Sequence, residues 1–194
     1  MGSSDRARII RGEHIYLRAS EREDIPRFVE WLNDAEVARH LMNRAPLSVA
    51  MEERWFDRMV DAQGRTDYHF VICLLADDRP IGTAGLHDVH QRSGHAEFGI
   101  AIGDKGEWNK GYGTDAVRAI CDFGFGELRL ERIALHVYAS NERAVRSYRS
   151  AGFVHEGTLR RAHFARGAHE DVHVMSMLRD EWLALEHRRS WEYD

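Results

Sequence analysis

Three groups of residues in this chain could do chemistry together, and two of them adjoin. Asn109-Lys110-Gly111-Tyr112-Gly113-Thr114 opens an amphipathic helix. Glycines at a helix entry let bare backbone N–H groups converge on an anion, and the helix dipole adds partial positive charge there. Just before it, in 96–102, Phe98, Ile100 and Ile102 alternate with Gly99 and Ala101 in the period of a strand. A glycine inside a strand marks a bulge or a place where a ligand or another chain nears the backbone. The pair describes a pyrophosphate seat beside a strand that can hold an extended, amide-bearing ligand. Coenzyme A fits that description. Two familiar phosphate motifs are excluded: no GxxxxGK[ST] occurs, and no GxGxxG is followed by an acid about twenty residues on.

The third group lies about thirty residues further along. Asn141 and Tyr148 are seven residues apart, close to two helical turns, so they share a face. A phenol there could hydrogen-bond and protonate a sulfur leaving group. The alternative is a half-buried core tyrosine whose hydroxyl meets water. The twelve histidines raise a metal reading, with His87, His90 and His95 in one hairpin and His169 four residues from His173. On a strand such a pair is ~13 Å apart, too far to share one ion. No HExxH is present, so surface polarity is the better account and no metal is expected. Arg160, Arg161 and Arg166 form a small basic group, read as a solvated face.

Positioning these groups takes a mixed set of elements. A loose tail is expected over 1–12 and one domain over 13–188. Ile15 to Arg18 reads as a short strand, followed by a helix carrying Ile25, Phe28, Val29 and Leu32, with Ser20 as a candidate cap. A second short helix would carry Val37, Leu41 and Met42. Ser48 precedes a third, where Trp55, Phe56 and Met59 form an apolar stripe. Such a stripe is core more often than a binding box, yet this helical pair over a sheet is a plausible substrate lid. Strands follow at 68–75, 80–86 and 95–102, then a helix over 114–128 and a strand at 133–138. Next comes a helix capped by Ser140 or Asn141 and ended by Gly152. A final strand pair, 153–159 and 170–178, and a short helix around Trp182 complete an α/β or α+β sheet domain.

Composition narrows the classes. With 194 residues the chain can bury a core without metal or disulfide support. A net charge of -5 argues against a nucleic-acid partner. No run of ~18 apolar residues occurs, and MGSSDRAR lacks the apolar stretch of a signal peptide, so no membrane partner is expected. Cys73 and Cys121 sit inside apolar stretches without CxxC spacing, as in a reduced, cytoplasmic protein.

Four stretches in order, LRASEREDIPRFVEWLND, HAEFGIAIGDKGEWNKGYGTDAV, LHVYASNERAVRSYRSAGFVHEG and HEDVHVMSMLRDEW, span most of the chain. The sequence resembles the GNAT superfamily of acyl-CoA-dependent N-acetyltransferases. Within it, the nearest branch is that of ribosomal-protein N-terminal acetyltransferases (RimJ/RimL-like) and spermidine N-acetyltransferases. One position departs from the pattern: Trp108 stands where the family's phosphate motif usually begins with Gln or Arg.

The resemblance implies a mostly antiparallel, strongly twisted sheet with flanking helices, whose fourth and fifth strands splay apart around the pantetheine arm of acetyl-CoA. The backbones of Ile100, Ala101 and Ile102 would bond the pantetheine amides. Asn109, Lys110, Gly111, Tyr112, Gly113 and Thr114 would hold the pyrophosphate, and Asn141 would support the cofactor from the other side. Tyr148 would protonate the leaving thiolate. Glu97, on the strand beside the thioester, is the first candidate for the base, with a solvated strand carboxylate as the alternative. Glu21 and Asp34 are weaker candidates, since both sit near helix starts where capping explains them. The expected activity is acetyl transfer to a primary amine, on a small molecule such as a polyamine or at a peptide N-terminus. An acyl-CoA-binding sensor without turnover is the alternative, and a homodimer is the working expectation for assembly.

Overall fold

The computed structural model describes residues 10–42 and 45–193. Eight strands form one sheet in the order β1-β2-β3-β4-β5-β6-β8-β7. They are β1 (Ile10–Arg11), β2 (Ile15–Ala19), β3 (Tyr68–Leu74), β4 (Pro80–His90), β5 (His95–Ile102), β6 (Arg132–Tyr138), β7 (Val154–Ala165) and β8 (Ala168–Leu178). Every neighbouring pair is antiparallel except β5 and β6, which run parallel. Their pairing covers only His95, Ala96 and Glu97 against Arg132, Ile133 and Ala134. Beyond Glu97 the two strands part. Because β1 adds a strand at the start, the expected fourth and fifth strands are β5 and β6.

Helices cover both faces, and strand alternation decides which side chains meet them. On one face α3 (Tyr112–Asp122) and α4 (Glu142–Ala151) lie over the main core. There Val117 and Ile120 pack with Ile72, Leu86, Phe98, Ile133 and Met175. On the other, α1 (Ile25–Asn33) sets Phe28 against Tyr16, Val71 and Cys73. Helix α2 (Val49–Ala62) joins α1 through Ile25, Phe56 and Met59. Residues 97, 99 and 101 of β5 face this second side, whereas 98, 100 and 102 face the main core.

Several boundaries differ from the sequence reading. Of the expected 1–12 tail, residues 1–9 lie outside the described residues. Ile10 is buried and pairs with Leu17, so the sheet already includes Ile10, ahead of the expected domain start at 13. The helix expected around Val37 to Met42 is a single 3₁₀ turn, Ala38–His40. Glu21, not Ser20, stands at the helix entry, with a reciprocal bond to Asp24. The long helix expected over 114–128 ends at Asp122 and continues as one π turn, Phe123–Glu127. The side chain a Gly124 substitution would add would lie 2.8 Å from Ile133 Cδ1, so this turn sits hard against the sheet. The chain closes with α5 (Arg179–Leu183) and a 3₁₀ turn, Ser190–Glu192, beyond the expected end at 188. Asp122 holds that closure, accepting from Trp182 Nε1 at 2.8 Å and from the Ser190 N–H at 2.8 Å.

Two further links fix α3, the helix that carries the glycine loop. The Asp115 carboxylate accepts the backbone N–H groups of Glu13 and His14 at 2.9 and 2.8 Å, tying its first turn to the β1–β2 loop. Thr114 Oγ1 and Ser147 Oγ lie 2.8 Å apart, joining α3 to α4 across the parted strands. No helix among the described residues is long and apolar enough to cross a membrane.

Candidate active site

Where β5 and β6 part, a cleft of about 670 Å³ opens. It reaches from Glu97 and His136 at the fork, past Tyr148, to the loop before α3. That loop turns tightly and leaves backbone donors free. Asn109 and Gly111 both have positive φ, 62° and 88°, which turns the chain sharply into the helix. The first bond of the helical ladder runs from the Asp115 N–H to Gly111 O at 3.0 Å. From Asn109 through Thr114, no backbone N–H donates to an acceptor among the described residues. A row of free donors at a helix N-terminus is the chemistry a pyrophosphate needs. A Cβ on Gly113 would make only ordinary contacts, 3.8 Å to Ser147 Oγ and 3.9 Å to Ile102. That glycine is therefore not demanded by packing of the protein itself.

The charges around the loop are arranged so that most of its cations are committed. Arg79 Nη2 and Lys110 Nζ both bind the Glu107 carboxylate, at 2.7 and 2.9 Å, and hold it below the usual carboxylate range. Arg79 also pairs with Asp104. Arg143 is different. It projects from the first turn of α4, lines the cleft, and makes no direct ion pair among the described residues, with Glu36 acting on it only at longer range. Its guanidinium lies 3.7 Å above the Trp108 ring, and the indole Nε1 donates to Ile102 O at 2.8 Å. Trp108 thus replaces the usual polar residue of the motif with a platform that holds a cation from across the cleft. Sequence reasoning missed Arg143 because the stacking joins residues on separate elements.

Ile100, Ala101 and Ile102 line the cleft on β5, and past Glu97 no pairing with β6 covers them. Asn141 stands at the N-cap of α4, its Oδ1 accepting from the Ala144 N–H at 3.2 Å. Ser140, the other candidate cap, donates instead to Glu170 at 2.6 Å. Tyr148 is 7 % exposed, with its ring edge-on to Phe98 at 6.1 Å and against Phe153 at 6.0 Å. Its hydroxyl has no hydrogen-bond partner among the described residues, and burial raises its pKa well above that of a free phenol. The group stays protonated and faces the cleft.

Glu97 lies at the fork, half exposed, on the face opposite Phe98. Its Oε1 is 3.0 Å from Nδ1 of His136 on β6, a residue concealed in the alternation of LHVY. Directly across β4 is His87, whose Nδ1 lies 3.2 Å from Asp67 Oδ1. Neither of the other two carboxylates considered from sequence lines the cleft. Asp34 binds Lys105 Nζ at 2.8 Å and caps the turn at Glu36 and Val37. Glu21 belongs to the helix entry described above. Among the described residues, no group of three or more His, Cys, Asp or Glu is placed to hold an ion. His90 and His95 stack on one another at 4.5 Å, apart from His87.

A second cavity, about 540 Å³, lies under α1 and α2. It shares Gly99, Ile100, Ala101 and His87 with the cleft, so the two meet along β5. The arrangement offers an anion seat, an unpaired strand edge, a protonated phenol at the fork, and a separate approach from the opposite side. That is the geometry for acyl transfer from an extended thioester to an acceptor entering from the other face.

The comparisons with known proteins agree. Residues 14–154 match the model of the acetyltransferase (GNAT) domain. The chain is 32% identical over 174 residues to spermidine N(1)-acetyltransferase of Vibrio cholerae, covering 86% of this chain and 94% of that protein. It is 30% identical over 178 residues to the putative ribosomal N-acetyltransferase YdaF of Bacillus subtilis, covering 88% and 94%. The crystal structure of the Vibrio cholerae spermidine N-acetyltransferase with CoA and spermine superposes with a TM-score of 0.81 at 27% identity, covering 88% of this chain and 98% of that one.

If the free N–H groups of the loop seat the pyrophosphate, coenzyme A at a hundredfold excess over Kd should stabilise the fold by ~2.7 kcal/mol. Gly113→Val should remove that thermal shift while leaving the melting temperature of the free protein nearly unchanged. An undiminished shift in the variant would show that the phosphates bind elsewhere. The parted strands, the cradle and the matches lead to one assignment: the chain belongs to the GNAT acetyltransferase family and is an N-acetyltransferase that uses acetyl-CoA to acetylate an amine.

Proposed function

We propose that Tyr148 protonates the departing thiolate, that Glu97 with His136 accepts the proton of the attacking amine, and that the acceptor is a small cationic amine of the polyamine class. The observation that carries this reading is the unpartnered, protonated Tyr148 hydroxyl at the fork, on the opposite face of β5 from Glu97. Acid and base then act from the two sides of one strand edge. Acetyl-CoA supplies the activated acetyl group. The protein's part is to orient the thioester, polarise its carbonyl with N–H groups of the exposed β5 edge, and move two protons.

The proton transfer from the amine is the larger problem. An alkylamine of pKa ~10.4 is about one part in 10³ neutral at pH 7, a cost of roughly 4.6 kcal/mol. A carboxylate at the fork lowers that cost, and His136 fixes its orientation. The relatives support a polyamine acceptor over a protein N-terminus, since matches in Vibrio cholerae and in two strains of Escherichia coli are spermidine N(1)-acetyltransferases. On the cofactor side, Arg143 on its Trp108 platform would meet the phosphates that the loop N–H groups cradle, with Asn141 holding the α4 terminus in place.

A panel of amines with acetyl-CoA, followed by thiol release, tests the whole reading. Release should rise with pH as the neutral fraction of the amine grows. Glu97→Gln should slow it at neutral pH and matter less at high pH. A parent rate throughout would remove Glu97 as the base and point to His87, the other cleft-lining group held by a carboxylate. Tyr148→Phe keeps the ring and its packing. It should lower kcat by about 10²-fold rather than 10⁴, because a thiol of pKa ~8.5 leaves tolerably without help. Unchanged kcat would exclude Tyr148 as the acid. Arg143→Ala should weaken coenzyme A binding by about tenfold, the scale of one charge-assisted hydrogen bond, and leave the use of acetylated pantetheine, which has no pyrophosphate, unchanged. Equal losses with both would make Arg143 a structural residue.

A further inference from the structure

An alkylammonium nitrogen that becomes an amide nitrogen sheds two protons, and the transfer reading above assigns an acceptor to only the first. The first must leave before attack, because an ammonium has no lone pair. Once the C–N bond has formed, the nitrogen of the tetrahedral adduct is cationic again and must lose the second. The C–S bond then breaks, its electron pair goes to sulfur, and Tyr148 protonates the thiolate. One of the shed protons restores Tyr148 and the other reaches solvent. An ammonium and a thioester thus give an amide, a thiol and one proton. Glu97 can carry only one of the shed protons at a time.

Directly opposite Glu97 in the β4–β5 ladder, and on the same face of the sheet, is His87. It is partly exposed and lines the cleft. An ionised carboxylate can only accept, so the contact of its Nδ1 with Asp67 places the ring proton on Nδ1 and leaves the lone pair on Nε2. Asp67 is itself held, its Oδ2 accepting from Thr66 Oγ1 at 2.8 Å and its backbone oxygen from the Gly64 N–H at 2.9 Å. No described residue bonds His87 Nε2. The ring leans over β5, with Nε2 3.4 Å from the point that a Cβ on Gly99 would occupy. Gly99 thus leaves the imidazole room to lie over the strand just past the last residue paired with β6. The other histidine of this face does not compete. Burial, with His87 nearby, pushes the pKa of His69 on β3 down to about 4, and its Nδ1 is engaged by Ser20 Oγ at 3.0 Å. Glu52 and Arg58 of α2 line the neighbouring cavity with His87, and His136 lies beyond Glu97 on β6.

We propose that His87, oriented by Asp67, is the second proton acceptor of the transfer: its Nε2 takes the proton of the cationic nitrogen in the tetrahedral adduct and passes it to solvent. This rests on the acetyl-transfer reading above and adds to it one catalytic residue, His87, and one positioning residue, Asp67. A neutral imidazole is suited to the step, since it takes up and gives back a proton near pH 7. The strand pairing gives each proton its own acceptor, with Glu97 on β5 and His87 beside it on β4.

The test uses an alkylamine and a fluorinated alkylamine of the same length, at a pH where the fluorinated amine is neutral and the other is not. The neutral amine has no first proton to lose but must still lose the second. Each variant is compared with the parent on the same amine. Glu97→Gln should cost more with the alkylamine than with the fluorinated amine. His87→Gln should lower kcat by about 10²-fold with both, the scale of one proton-transfer group, with KM and the thermal shift by coenzyme A unchanged. Asp67→Asn can donate to Nδ1 and so move the ring proton to Nε2; it should lower kcat with both amines in the same pattern, again at constant KM. A His87→Gln variant with the parent kcat, or one slowed with the alkylamine alone, overturns the inference. So does one that loses KM rather than kcat. If His87→Gln melts below the parent, His87→Ala with added imidazole decides: imidazole should restore kcat, and no recovery overturns the inference. A parent that releases thiol with neither amine would sink the transfer reading itself, whereas turnover indifferent to His87 would sink only this addition to it.

Discussion

Everything in the site follows from the limited pairing of β5 with β6. Three residue pairs join them, and then the strands diverge in the middle of an eight-stranded sheet. Unpaired backbone N–H and C=O groups inside a sheet are costly unless something else satisfies them. The protein closes its outer side with helices, through Thr114 to Ser147, but leaves the strand edge open. Phe98, Tyr148 and Phe153 pack together where the strands part. The opening is thus supported by an aromatic cluster.

The second constraint is electrostatic. A chain of net charge -5 must hold a strongly anionic co-substrate. It does so without a large basic patch. Arg79 and Lys110 neutralise Glu107 and stiffen the loop, while the free N–H groups of the α3 terminus provide directional donors. Arg143 is the cation left over among those described at the loop, oriented by stacking on Trp108 rather than by a carboxylate. Across β5, in the cavity under α1 and α2, the surroundings differ. There the deep charge is a carboxylate, Glu52, in aromatic surroundings with a neutral histidine near it. The two cavities meet at Gly99 to Ala101.

Much of this was legible in the sequence because it is local. The strand of 95–102 was placed to the residue, and the glycine loop, a cap at Ser140 or Asn141 and the Gly152 stop follow from short-range backbone chemistry. The same holds for Ser48 at α2. What could not be read is what depends on the third dimension. Arg143 and Trp108 lie on different elements, as do Glu97 and His136, and no periodicity links them. The burial of Glu52 could not be read either, since burial of a single position depends on what packs over it. The 3₁₀ turn Ala38–His40 and the π turn after Asp122 show tertiary packing overriding a helical pattern. Ile10, placed in the tail by the polar residues around it, is held by its pairing with Leu17.

The most direct test of the account is a crystal structure with coenzyme A and a non-reactive diamine. The account predicts the pantetheine arm between β5 and β6, its sulfur within hydrogen-bond reach of the Tyr148 hydroxyl, and the pyrophosphate on the N–H groups of Asn109 through Thr114. A coenzyme bound outside the fork, or one whose sulfur lies on the Glu97 face away from Tyr148, would contradict it.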